Sequence, residues 1–417
     1  MIFWLLQTTG LRGVECLSAV YRKPIYCIGN ANFELLLWGI TVLLIGWEIL
    51  SKKQLGGFLD SWKRLWIVTP FLVLALISTA WSIAPVVSLE RSIILLAATI
   101  SVVFISSQTT INRWVDLLAV FFAIIIAASY LLIFAIPEVG RMLFMPYYGA
   151  WCGIFWHRNY LGSFMALAST VYLFRLFFDG QGKKFQFLGN LLGMAASMGL
   201  VFGSRSAAGI LTLFLLLTLT TLLFIWTKIR SYLKVRHYII FGFSVFALTV
   251  LVFTNLDFIF GLVNRNTSLT GRIPLWEYLY QQYISNRLVF GHGYGAFWTF
   301  EQARIGVKSY LSWGYPVLIG DNGLIDIVLH LGLVGVFLII SIIFYAFFIT
   351  GKYAFTVLSG KSFFPLLCIV FVVMSNISLS MLVELEYFVW ALLIFGLINC
   401  SKDPELQYPK IIFEKQP

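Results

Sequence analysis

Charge is what this chain lacks most. Of its 417 residues only 11% are charged while 60% are apolar, and mean hydropathy is +0.90. Soluble domains carry roughly a quarter charged residues, so a water-facing globule is excluded and apolar surface must face lipid. Cysteine patterning is missing too. Cys16, Cys27, Cys152, Cys368 and Cys400 are scattered with no C-x-x-C pair, which argues against a disulfide framework or a thiolate metal site. No cleavable signal peptide is read at the start, because the first apolar run is short and Arg12 and Glu15 follow it. No repeat of fixed period is visible, nor a matched pair of broken helices of the transporter kind. The net charge of +11 reads as the cytoplasmic-loop excess of a polytopic membrane protein rather than as a nucleic-acid surface.

What is present is a series of apolar stretches of spanning length, about 17 to 25 residues each. They lie at 33–50, 65–82, 91–106, 115–136, 160–178, 186–203, 207–226, 238–261, 319–349, 363–383 and 387–400. The pattern predicts an all-α polytopic membrane protein of about 11 to 12 transmembrane helices. Residues 1–417 form one membrane domain, with a large loop over 262–318 and a tail over 401–417. The breaks alternate in charge. One set carries Lys52, Lys53, Lys63, Arg64, Arg113, Arg175, Lys183, Lys184, Lys228, Arg230, Lys234 and Arg236, then Lys352, Lys361 and the lysines of the tail. That set holds more than half of the 29 Lys and Arg and is assigned to the cytoplasm, so the large loop faces outward. Eleven spans leave the N-terminus outside unless residues 1–32 add another.

The outward breaks concentrate polar chemistry. Trp81-Ser82 leads to Glu90 and Arg91, and His157-Arg158-Asn159 precedes Gly162. Gly203-Ser204-Arg205-Ser206 is a short turn between two long apolar spans. The large loop holds Thr270-Gly271-Arg272, then Gly291-His292-Gly293-Tyr294-Gly295, and closes at Asp321-Asn322. Arginine offers a planar fork of donors that pairs bidentately with phosphate oxygens, so Arg158, Arg205 and Arg272 on one face suit a lipid with a diphosphate head. The plain alternative for each is a snorkelling arginine at the headgroups. For Arg205 and Arg272 the functional reading is preferred. His157 reads equally as a catalytic group or an interfacial histidine. Leu275, Trp276, Leu279, Tyr280, Tyr283, Ile284 and Leu288 recur at helical spacing and predict an amphipathic helix at the membrane surface. Trp276 and Trp298 are read as interfacial anchors, with stacking on a sugar as the alternative.

Together these residues resemble the O-antigen ligase and polymerase superfamily, and within it the exopolysaccharide-polymerising branch. The resemblance runs from Trp81 to Gly335. It rests on Ser204-Arg205-Ser206-Ala207, on Gly271-Arg272 with Trp276 and the glycine turn after it, and on Gly153 to His157, Asn159 and Gly162. Its most specific element is an H-N-x9-G-x-x-G pattern, here Asp321-Asn322, nine residues, Gly332 and Gly335, with aspartate where the family usually has histidine.

The resemblance implies a GT-C-like fold and a metal-independent glycosyltransferase of the bacterial inner membrane, its main loop periplasmic. The implied donor is an undecaprenyl-diphosphate-linked oligosaccharide and the acceptor a glycan. No cofactor or nucleic acid is involved, and a chain-length regulator is an expected partner. Arg205 and Arg272, with Arg158, are the implied diphosphate ligands. Asp321 or His157 is the implied base, and Asn322, Trp276 and Asn159 are implied to position the acceptor or the loop. A ligase transferring finished glycan to lipid A core or protein would run the same displacement. A transporter of such lipids would instead need charges along a pathway to both faces.

Overall fold

The computed structural model describes residues 31–143, 147–178, 184–229, 272–311, 319–357, 360–382 and 387–401. The expectations for residues 1–30, the span 238–261, the loop before Arg272 including Gly271, and the tail after Ser401 lie outside them. Among the described residues the fold is helical, with one isolated antiparallel bridge between Arg141 and Trp151. The helices are α1 (Ala31–Ser51), α2 (Leu55–Lys63), α3 (Thr69–Ile77), α4 (Pro85–Gln108), α5 (Ile111–Ala135), α6 (Pro137–Gly140), α7 (Arg158–Phe178), α8 (Lys184–Gly203), α9 (Ala207–Ile229), α10 (Arg272–Leu279), α11 (Glu301–Leu311), α12 (Gly323–Val357), α13 (Phe364–Ser378) and α14 (Tyr387–Ser401). Several start as local chemistry dictates. Proline occupies the first turn of α3, α4 and α13, where its missing N–H costs nothing.

Among the described residues, seven helical segments are long and apolar enough to cross a membrane: α4, α5, α7, α8, α9, α12, and α13 together with the 3-10 turn before it. The chain is an all-α polytopic membrane protein. The other predicted spans that fall on described residues are shorter apolar helices, over Leu35–Ser51, Thr69–Trp81 and Tyr387–Ser401. The last has a clear physical reason. Every residue from Tyr387 to Cys400 is buried, so α14 is a central post wrapped by other helices rather than a lipid-facing span. Its Trp390 Nε1 donates to Thr99 Oγ1 of α4 at 2.9 Å.

Two backbone features position the functional end of the bundle. Where α7 crosses α9, a Cβ on Gly209 would lie 2.7 Å from the Gly162 backbone. Only glycine permits that approach, which holds the Ser204–Ser206 turn against the start of α7. The second is a break in α12 at Gly332, with φ 64° and ψ −163°. The turn 288–293 docks into it. His292 and Gly293 donate backbone N–H to the freed carbonyls of Leu329 and His330, at 2.9 Å each. Leu333 N–H reaches Leu288 O at 2.8 Å, and Val334 N–H reaches Val289 O at 3.3 Å. Irregular backbone inside an apolar bundle is tolerated when protein satisfies it in this way. The glycine-rich run is therefore the plug of a broken helix.

Charges assigned to one side by their alternation do meet. Arg175 pairs with Asp116 at 2.7 Å, and Arg64 hydrogen-bonds the Ser401 carbonyl. At the opposite end Ile83 N–H reaches His292 O at 3.0 Å, Trp151 N–H reaches Gly203 O at 3.0 Å, and Arg287 reaches Trp81 O at 3.1 Å. The breaks read as outward thus gather at one end of the bundle, called the loop end below.

Candidate active site at the loop end

The first wall of the site is the segment leading into α7. Arg158 is 3% exposed. Its guanidinium stacks 4.1 Å from the Tyr147 ring centroid and donates to the backbone carbonyls of Ser204 and Arg205. A diphosphate ligand was the expectation for Arg158; its Nη1 is engaged in holding the neighbouring turn. Arg158→Lys is expected to lower stability by roughly 1–3 kcal/mol, since lysine cannot keep both the ring stacking and the fork. A drop in the melting temperature of the purified protein checks it.

That turn carries Arg205 in the left-handed region, φ 51°, with its side chain exposed. Among the described residues only Lys53, Arg205 and Asp321 take positive φ without being glycine. Such conformations persist where surrounding structure imposes them, and they gather at functional sites. Here Ser204 Oγ accepts the Ser206 N–H at 3.2 Å. Ser206 Oγ in turn accepts the Gly209 N–H at 3.2 Å and donates to Asn159 Oδ1 at 3.0 Å. Asn159 therefore ties α7 to the arginine turn.

His157 lies beside them. Its Nδ1 accepts the Asn159 N–H at 3.2 Å, which leaves Nε2–H as the outward donor. Burial, with the nearby positive charges of Arg158 and Arg272, holds its pKa down at about 3, so the ring is neutral at physiological pH. The same influence shows that Arg272, more than a hundred residues on in sequence, comes into electrostatic range of His157.

The second wall is built by Arg272 at the start of α10 and by the residues before α12. Arg272 Nη2 donates to Ser378 O at 2.8 Å, and its Nε lies 3.6 Å from Asp321 Oδ2, the side chains being 14% and 30% exposed. Asp321 takes φ 51°. Desolvation pushes its pKa above the ordinary carboxylate value against the opposing pull of Arg272. Asn322 caps α12: its Oδ1 accepts the N–H of Leu324 at 2.9 Å and of Ile325 at 3.3 Å, while its amide reaches Ile377 O at 3.3 Å. Trp276 Nε1 donates to Gly320 O at 2.7 Å. Arg272, Asp321, Asn322 and Trp276 are thus brought together.

The loop helix differs from expectation in what it faces. α10 continues through a π-helical turn over Tyr280–Ile284. Leu275, Leu279 and Ile284 pack against Phe297, Trp298, Ala303, Val307 and Leu329, so the predicted apolar stripe covers the loop's own small core. Trp298, 6% exposed, has no free ring face for a sugar. Its Nε1 instead donates to Asp326 Oδ1 at 2.6 Å. Asp326 is fully buried, and sequence reading passed over it. The available signal was a lone carboxylate five positions after Asp321 in an otherwise apolar span, where an ionisable residue is expensive.

No family model matches the chain. Over 304 residues it is 25% identical to the exopolysaccharide production protein ExoQ of Rhizobium meliloti (strain 1021), a match spanning 71% of this chain and 67% of that protein. This similarity bears out the resemblance to the O-antigen ligase and polymerase superfamily.

Proposed function

We propose, from that kinship and the loop-end geometry, that this chain is a membrane glycosyltransferase. It joins polyprenyl-diphosphate-linked oligosaccharide units into an exopolysaccharide or other surface polysaccharide on the outer face of the cytoplasmic membrane. The observation that carries the reading is the Arg272–Asp321 pair at 3.6 Å, set among apolar spans within electrostatic range of His157. A half-buried carboxylate beside an arginine fork provides a proton acceptor next to an anion site.

In this scheme Arg272 and the exposed Arg205 hold the diphosphate. An acceptor hydroxyl oxygen attacks the anomeric carbon of the donor sugar, and its proton passes to Asp321. The bond from that carbon to the diphosphate oxygen breaks, and polyprenyl diphosphate leaves with its charge stabilised by the arginines. His157 offers Nε2–H to a substrate oxygen. Arg158, Asn159, Asn322 and Trp276 fix the backbone that presents these groups.

A strain without the chain tests the reading. Polymerase loss should leave single repeat units on the lipid carrier, whereas ligase loss would leave long chains there. Normal polymer in that strain would sink both readings. Asp321→Asn is expected to cut elongation by about 10²–10⁴-fold. In the wild type, the rate should fall with acidification through a pKa above the ordinary carboxylate value of about 3.9, because only ionised Asp321 takes the proton. An unchanged pH profile in Asp321→Asn would remove Asp321 as the base.

A further inference from the structure

The carboxylate of Asp326 sits at 0% exposure near the start of α12, and three groups from different parts of the chain converge on it. Trp298 Nε1 donates to Oδ1 at 2.6 Å. The Gly320 N–H lies 3.1 Å from Oδ1 and 2.9 Å from Oδ2, and Ser380 Oγ hydrogen-bonds Oδ2. Indole and backbone N–H are donors only, so the site is arranged around a hydrogen-bond acceptor. A buried carboxyl group in an apolar helix is costly unless its surroundings are matched to it and something is gained by it.

The gain is legible in what Asp326 holds. Gly320 is gripped from both sides: its N–H by Asp326, its carbonyl by Trp276 Nε1 at 2.7 Å. The next residue is Asp321, in the left-handed region at φ 51°, with its carboxylate 3.6 Å from Arg272 Nε. Ser380, the third partner, lies two residues beyond Ser378, whose carbonyl anchors Arg272 at 2.8 Å. One buried carboxylate therefore ties together the loop core through Trp298, the turn that carries Asp321, and the segment that anchors Arg272.

We propose that Asp326 is the positioning residue of this site: by gathering Trp298, Gly320 and Ser380 it sets the turn that aims Asp321 at Arg272. The proposal rests on the glycosyltransferase reading above only for its activity readout. The charged group that bears on Asp321 is Arg272 of α10, which favours its ionised form. Replacing Asp326 with alanine releases Trp298, Gly320 and Ser380, whereas asparagine keeps an oxygen for Trp298 and Gly320. A turn released from Asp326 should carry Asp321 away from Arg272, and Asp321 should then ionise at higher pH.

The test uses full-length protein in nanodiscs, with lipid-linked glycan extracted from a strain lacking the chain as substrate. Asp326→Ala, which releases all three partners, is expected to lower kcat about 10- to 100-fold at equal folded protein with KM within about twofold, as a misaimed base predicts, and Asp326→Asn to lower it less. The acid limb of Asp326→Ala should move to higher pH. Ser380→Ala and Trp298→Phe, which remove one donor each, should lower kcat less and in the same direction. An activity-independent measurement is the infrared carbonyl band of protonated Asp321, identified by its loss in Asp321→Asn. That band should titrate at higher pH in Asp326→Ala than in wild type, because Asp321 loses part of the Arg272 contact. An unmoved band, or unchanged kcat at equal folded protein, overturns the proposal. Wild-type protein that fails to extend the extracted glycan would overturn the glycosyltransferase reading, and the infrared titration would still decide whether Asp326 governs Asp321.

Discussion

Arg272→Ala is expected to abolish polymer formation in cells that keep normal amounts of the protein, with elongation by purified protein reduced at least about 10²–10³-fold. The magnitude follows from what the guanidinium faces. It is anchored by the Ser378 carbonyl at 2.8 Å and stands 3.6 Å from Asp321, so one group serves both an arriving anion and the proposed base. Arg272→Lys should recover only part of the loss, because an ammonium restores the charge but not the planar fork. The Asp321 acid limb should also move to higher pH in Arg272→Ala, since the arginine charge favours the ionised carboxylate. That is also the direction expected for Asp326→Ala. Arg205→Ala should produce a comparable loss of polymer without loss of stability, its side chain being exposed. Polymer of unchanged length and amount in both alanine variants, at matched protein levels, would exclude a diphosphate site here.

The second large effect is on stability. Gly332 combines φ 64° with ψ −163°, a conformation open essentially to glycine alone. A Cβ there would lie 2.2 Å from the Val289 carbonyl carbon and oxygen. Gly332→Ala therefore strains the backbone and expels the docked turn, leaving carbonyls of α12 unpaired in an apolar setting. A loss of about 3 kcal/mol or more is expected, read as a lower melting temperature and faster proteolysis within 288–295. Gly351→Ala in the same helix is the control. Apart from its chain neighbours and the backbone of its own turn, no described atom lies within 4 Å of the position its methyl group would take, so alanine there should be neutral or stabilising by helix propensity alone. Equal behaviour of the two variants would remove the break as a structural requirement.

Much of this arrangement was legible in the chain because lipid imposes simple rules. Runs such as Ile111–Ala135 and Ala207–Ile229 are read by length and hydropathy, and alternation of Lys and Arg put Arg113 and Arg175 on one side and the Trp81 break with the loop on the other. The family-like patterns led to Arg205, Arg272 and Asp321, of which Arg272 and Asp321 form a pair. Other features were hidden for physical reasons. Hydropathy is continuous through Gly332, so nothing in composition marks the break. Its partner, the glycine-rich turn, lies some forty residues earlier. Charge and position do not reveal that the Arg158 guanidinium packs on Tyr147 and reaches two backbone carbonyls through Nη1. Asp326 was overlooked because its partners, Trp298, Gly320 and Ser380, are distant in sequence and individually ordinary.

The interrupted α12 also has a consequence for assembly. Residues 288–293 are synthesised before the helix whose break they fill. The partners of the Leu329 and His330 carbonyls thus precede α12 in the chain, and completing the hydrogen bonding at its break needs no later segment. Ser378 and Ser380, which complete the surroundings of Arg272 and Asp326, follow it. The hydrogen bonds of the break are therefore available earlier in synthesis than those around Arg272 and Asp326, which need the C-terminal end of α13.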